Sequence, residues 1–145
     1  MGLKERILTK SIYAFHVSSG SCNNCDIEFL DCLTPRYDIE RFGIVFAASI
    51  KHADVMICTG STNRMCVPRI KMLYELMPKP GFVVAWGACG ASRGIFKDSY
   101  NTGAPLDEVI PVDIYIPGCP PKPEAIIGGF VKLIQKINET GKKTK

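Results

Sequence analysis

Ile12-Tyr13-Ala14-Phe15-His16-Val17 leads into Gly20-Ser21-Cys22-Asn23-Asn24-Cys25-Asp26-Ile27-Glu28, and that into Phe29-Leu30-Asp31-Cys32-Leu33. The first run is short and apolar, the mark of a buried strand. The last reads as the body of a helix. Two cysteines spaced Cys-x-x-Cys therefore sit at the turn leaving a strand, with acidic residues close behind. That spacing brings two thiols near enough to share one metal centre or to close one redox disulfide.

Working outward, Gly43–Ala48 and Ala53–Thr59 read as a second and third strand, the latter ending at Gly60. From Met65 to Met77 the positions Val67, Ile70, Leu73, Tyr74 and Met77 recur at helical spacing, with Pro68 in the first turn, where its missing N–H costs little. Phe82–Trp86 is a fourth strand, ending at Gly87-Ala88-Cys89-Gly90, and residues 91–110 are irregular. Val112–Ile116 is a fifth, ending at Pro117-Gly118-Cys119-Pro120-Pro121. Pro123–Ile137 closes the chain as a helix, with Ile126, Ile127, Phe130, Leu133, Ile134 and Ile137 on its apolar face. The expected organisation is an arm over residues 1–11, one α/β domain over 12–137 and a frayed basic tail over 138–145. Strands alternating with helices argue a mostly parallel sheet with helices on its faces. In such sheets ligands bind beyond the carboxyl ends of the strands, near a switch point in strand order.

With 145 residues, 46% hydrophobic and 22% charged, the chain is long enough for one well-filled core. No apolar span reaches membrane length and no signal-peptide pattern opens the chain, so a cytoplasmic location is expected, with any membrane contact made through partners. The net charge of +4 gathers largely in the two tails, without the basic, aromatic-laced face of a nucleic-acid binder. Seven cysteines, an odd number in a reducing compartment, argue against a disulfide framework.

Three of the strand ends carry cysteine: Cys22 and Cys25 after the first, Cys89 after the fourth, Cys119 after the fifth. Four thiols far apart in the chain thus arrive at one edge of the sheet. Four such thiolates can hold structural zinc or an iron–sulfur cluster. Zinc usually takes two Cys-x-x-Cys pairs; here the second pair is replaced by two single cysteines in glycine-containing turns. That favours a cluster and leaves zinc open. A dithiol at Cys22 and Cys25 alone would leave Cys89 and Cys119 unexplained. Glycines 20, 87, 90 and 118 would let backbone N–H groups approach cluster sulfurs. Cys32 and Cys58 read as core, Cys66 as a structural residue opening a helix, His16 and His52 as hydrogen-bonded rather than metal-bound, and Trp86 as core packing or interface.

Several stretches together resemble one family: Gly-Ser-Cys-Asn-Asn-Cys-Asp-Ile-Glu at 20–28, Leu-Thr-Pro-Arg-Tyr-Asp at 33–38, Glu-Arg-Phe-Gly at 40–43 and His-Ala-Asp at 52–54. Leu-Tyr-Glu-Leu-Met-Pro-Lys-Pro at 73–80, Trp-Gly-Ala-Cys-Gly at 86–90 and the run from Ile110 to Glu124 extend the match over roughly Phe15 to Gln135. The family is the small subunit shared by respiratory complex I and energy-converting membrane-bound [NiFe] hydrogenases, with the related membrane-bound sulfane sulfur reductases. The resemblance implies a flavodoxin-like fold and one [4Fe–4S] cluster held by Cys22, Cys25, Cys89 and Cys119. It implies electron relay to the active site of a large subunit, nickel-bearing or nickel-less. It also implies a polyferredoxin subunit, membrane ion-translocating subunits, and a peripheral place on the cytoplasmic side of the membrane. The Cys-x-x-Cys pair is similar to the hydrogenase-type members, since in complex I the first two cysteines are adjacent. Interfaces are expected around Arg36-Tyr37, the loop 91–102 and the Cys119 turn.

Glu28 matches the acidic residue following the paired cysteines in both branches; it is expected to tune the cluster or carry a proton, or simply to favour the helix dipole. Two positions depart from the family pattern. Asn63 stands where a threonine is usual after strand three, and Arg93 stands where Ser-Gly-Gly usually follows the third cysteine. Arg93 is expected to raise a cluster's potential or meet the large subunit, unless it is a solvated surface residue. A zinc-stabilised scaffold without redox activity remains the alternative.

Overall fold

The computed structural model describes the backbone of residues 10–143 and the side chains of 10–138. The expected N-terminal arm lies outside the described residues except for Lys10 and Ser11, as do the last two residues of the expected tail. Five strands form one wholly parallel sheet: β1 (Ile12–Ser18), β2 (Ile44–Phe46), β3 (Val55–Thr59), β4 (Phe82–Trp86) and β5 (Ile114–Ile116). Their order is β2-β1-β3-β4-β5, the flavodoxin-like order, with the switch point between β1 and β3. The helices are α1 (Asn24–Cys32), α2 (Val67–Leu76), α3 (Gly87–Ser92), α4 (Leu106–Val109) and α5 (Pro123–Lys143).

Side chains alternate across a strand, and the two faces of this sheet pack separate layers. Val55, Ile57, Val84 and Trp86 join Cys25, Phe29 and Cys32 of α1 and Ile126, Phe130, Leu133 and Ile137 of α5. Met56, Cys58, Val83 and Ala85 turn the other way, onto Ile70 of α2 and Leu106 of α4. Covered on both faces, β3 and β4 are buried at every position, which is why they read as unbroken apolar runs. Cys32 and Cys58 are fully buried core residues, as their surroundings in the sequence suggest.

Several bounds differ from the sequence reading. Strand β4 has the expected bounds and β1 runs one residue further, to Ser18, while β2, β3 and β5 are shorter than their apolar runs; β5 spans only Ile114–Ile116, because Asp113 before it is engaged by its side chain. One Asp113 carboxylate oxygen accepts the Val83 N–H at 3.0 Å and the other meets Lys136 Nζ at 2.9 Å. The turn expected at Gly87–Gly90 is the short helix α3. The stretch 91–110 holds a 3-10 turn (Gly94–Phe96) and α4, which Leu106 anchors in the lower layer. The closing helix continues past Ile137, where its apolar periodicity ends, to Lys143.

Candidate metal centre

All the parallel strands point their carboxyl ends to one edge, so whatever follows them meets there. After β1 the chain passes Ser19, whose hydroxyl donates to the Thr59 carbonyl at 2.8 Å, and this ties the first loop to the third strand. Asn23 then takes a left-handed conformation (φ 75°), which asparagine tolerates, and α1 starts at Asn24. Cys22 is thereby exposed in the loop, while Cys25 in the first turn of α1 is buried, 7% exposed. Cys89 lies in α3 and is half-buried; Cys119 lies in the turn after β5 and is exposed.

The four thiols share one electrostatic neighbourhood. Burial pushes the Cys25 thiol up to about 11, and Cys22, Cys89, Asp26 and Cys119 push it the same way. Cys89 is raised by burial first, then by Cys119 and Cys22. Two glycines make the room. An added Cβ on Gly87 (φ 83°) would stand 3.1 Å from Cys25 Sγ, and one on Gly94 (φ 51°) 3.0 Å from Cys89 Sγ. The β4 and β5 loops are tied together by the Ala88 N–H donating to the Gly118 carbonyl at 2.7 Å. Among the described residues no three His, Cys, Asp or Glu side chains are gathered tightly enough for a single metal ion. The four thiols nonetheless lie within reach of one another's charge.

Among the described residues, three buried side-chain polar atoms have no hydrogen-bond partner: Thr62 Oγ1, Trp86 Nε1 and Arg93 Nε. All three belong to the segments carrying the candidate site, the β3 loop, the end of β4 and the residue following α3. Buried polar atoms are ordinarily paired, so each of these orphans marks a place where a partner is expected. Four thiols and unpaired donors fit a sulfur-rich cluster, whose sulfides accept hydrogen bonds.

Arg93 is half-buried in a left-handed conformation (φ 67°), its Nη1 donating to the Gly103 carbonyl at 3.4 Å; it is not a solvated surface arginine. Glu28 lies in the second turn of α1, where it raises the Cys32 thiol after burial and Asp31 have done so. The carboxylate acting on Cys25 is Asp26. Asp26 also belongs to a contact that sequence reasoning did not foresee. His16 Nε2 stands 3.0 Å from Asp26 Oδ1 and 3.0 Å from Thr59 Oγ1, and the Thr59 hydroxyl donates to the same carboxylate oxygen at 2.7 Å. His16 stacks on Phe29 with ring centroids 4.7 Å apart. His16 is thus hydrogen-bonded within the fold, as expected, and Cys66 stands at the head of α2. A cavity of about 260 Å³ adjoins Cys22, lined by Ser61, Asn63, Phe96, Ser99 and Asn101 among others.

Residues 22–133 match the family described as NADH ubiquinone oxidoreductase, 20 Kd subunit. The chain belongs to this family. Among 20 kDa-subunit relatives, the probable membrane-bound hydrogenase subunit mbhJ of Pyrococcus furiosus is 48% identical over 132 residues, 91% of this chain and 79% of that protein. An NADH-quinone oxidoreductase subunit of Citrifermentans bemidjiense is 48% identical over 113 residues, covering 78% of this chain and 66% of its own length. A chain of the membrane-bound sulfane sulfur reductase, an archaeal respiratory membrane complex, superposes with a TM-score of 0.84 at 38% identity. That superposition covers 94% of this chain and 76% of the other. The 20 kDa-subunit family places the chain among subunits of oxidoreductase complexes related to complex I and membrane-bound hydrogenase. Among the described residues no helix is long and apolar enough to cross a membrane.

Proposed function

We propose that the chain is an electron-transfer subunit carrying one [4Fe–4S] cluster on Cys22, Cys25, Cys89 and Cys119. The observation that carries this reading is the convergence of four thiols from three separate strand-end segments on one edge of the sheet, with unpaired buried polar atoms on the segments that leave β3 and β4. The bound cluster supplies one-electron transfer. The residues around it do the rest. The four cysteines give up their protons to bind iron, and the apolar layer of Phe29, Trp86 and Ile116 keeps water from the Cys25 side. Gly87 and Gly94 leave the space that side chains would fill. Arg93, whose backbone N–H donates to the Cys89 carbonyl at 2.8 Å, adds a positive charge to that loop, favouring the more negative, reduced state. Its test is Arg93→Gly, read as a lowered midpoint potential; an unmoved potential sinks the tuning role. Glu28, on the second turn of α1, is a proton-carrying group at the interface. Glu28→Gln should change the pH dependence of turnover in the assembled complex, and an unaltered profile would remove that role.

The reaction on substrate belongs to a large partner subunit, with a polyferredoxin subunit supplying or taking electrons and membrane subunits translocating ions. The chain sits peripherally on the cytoplasmic side. Its partner face is the rim of the site. Met65, Ile95 and Tyr100 are 76%, 86% and 90% exposed, on the two loops joined where the Arg64 N–H donates to the Asn101 carbonyl. Large apolar side chains so exposed mark an interaction surface.

The test is metal analysis of the full chain purified without oxygen. Iron and sulfide in equal amounts, lost in Cys→Ser variants at 22, 25, 89 and 119, is the expected result. Zinc without iron would mean a structural scaffold instead.

A further inference from the structure

We propose that the indole N–H of Trp86 is a donor reserved for the sulfur of Cys25 when that sulfur is bound to iron. The inference rests on the cluster reading above and adds to it a group that none of the four ligands supplies.

Two unmet needs lie in one buried layer. Trp86 is 0% exposed and its Nε1 has no hydrogen-bond partner. A buried indole N–H left unpaired forfeits the bond it makes to water in the unfolded chain, so a core tryptophan ordinarily reaches an acceptor. The second need belongs to Cys25. Iron binding turns a cysteine into a thiolate. Cys22 and Cys119 are exposed and Cys89 is half-buried, so water can reach those three sulfurs. Cys25 alone of the four is buried, at 7% exposed, and its bound sulfur must find a donor inside the protein.

The fold puts these two groups together. Trp86 pairs with Thr59 on one side and Ile116 on the other, so its indole stands on the α1-facing side of the sheet. There it shares one buried cluster with Cys25 and Phe29, its ring 6.0 Å from Phe29 and edge-on to it. The next residue, Gly87, passes so close that an added Cβ would lie 3.1 Å from Cys25 Sγ. Two acceptors on the neighbouring segments already take donors. The Gly118 carbonyl takes the Ala88 N–H, and Asp26 Oδ1 takes Thr59 and His16.

A hydrogen bond to a cluster sulfur stabilises the reduced state more than the oxidised one, because the reduced state carries more negative charge. Trp86 is the chain's one tryptophan, so a label on it is unambiguous. The full chain is reconstituted with iron and sulfide without oxygen, carrying tryptophan labelled with nitrogen-15 in the indole, then reduced and examined by pulsed electron paramagnetic resonance. The expected spectrum shows a nitrogen-15 coupling and one exchangeable proton coupling that vanishes in deuterium oxide. In Trp86→Phe both disappear, and the equilibrium constant for reduction falls about tenfold, equivalent to about 59 mV for a one-electron couple. An intact cluster without nitrogen-15 coupling in the unaltered chain overturns the inference alone, and this measurement stands even if Trp86→Phe loses its cluster. Failure of the unaltered chain to take up a cluster overturns the electron-transfer reading as well.

Discussion

Gly87 shows how a single residue sets the site. Its φ of 83° and its approach to Cys25 Sγ leave no place for a side chain. Gly87→Ala is expected to cost about 1–2 kcal/mol in backbone strain and to displace Cys25. Iron retained per chain should fall by more than half while far-ultraviolet circular dichroism stays unchanged; normal iron content would show that the cradle is not tight. His16 yields a second expectation. Burial holds it below its ordinary 6.5, with the Asp26 carboxylate pulling the other way. The unfolded chain therefore binds the proton more readily, so stability is lost as pH falls from 6.5 towards the depressed folded value. Urea unfolding of the metal-free full chain should show that slope, and His16→Gln should flatten it. Gly87 was legible in the sequence as a glycine of the site, whereas the His16 expectation was not. The His16–Thr59–Asp26 contact joins three elements through side chains 10 to 43 residues apart, and no periodicity or spacing announces it.

At the scale of elements, α5 offers two neighbouring glycines with opposite expectations. A Cβ on Gly128 meets nothing within 4 Å, while one on Gly129 would stand 2.6 Å from Ile116 Cδ1. Gly128→Ala should therefore stabilise the chain by about 0.5–1 kcal/mol through helix propensity alone. Gly129→Ala gains the same propensity but overpacks β5, at a cost of roughly 1–3 kcal/mol. The added Cβ would also stand 2.7 Å from Ile116 Cγ1, so removing both atoms with Ile116→Ala should relieve it, giving a double-mutant coupling of about 1 kcal/mol in thermal unfolding. Additive effects would show that α5 does not press on β5 there. The core face of α5 was legible in its apolar spacing, and so were all five strands, because a sheet covered on both sides demands continuous apolar runs. The short α3 and α4 were not. Gly87-Ala88-Cys89-Gly90 has no amphipathic pattern, and α4 is one turn held by Leu106 in tertiary packing.

For the whole molecule, the edge of the sheet where the four cysteines meet was readable from where the strands end. The rim around it was readable only in part: Ile95 and Tyr100 lie in the loop 91–102, where an interface is expected from the family resemblance, while Met65 lies in a loop whose exposure only the fold decides. Replacing these three with serine should leave the metal content unchanged and weaken association with the large subunit at least tenfold, measured by co-purification and by titration of the purified subunits. Unimpaired assembly would move the interface elsewhere. The unequal exposure of the four sulfurs has one more consequence. The apolar layer beneath Cys25 closes the back of the site, so iron and sulfide for the proposed cluster would enter on the side of the exposed Cys22 and Cys119, where the proposed partner would dock. Assembly would then be an ordered sequence in which loading comes before docking. A complex put together from iron-free chain should resist later reconstitution, whereas the free chain fills readily.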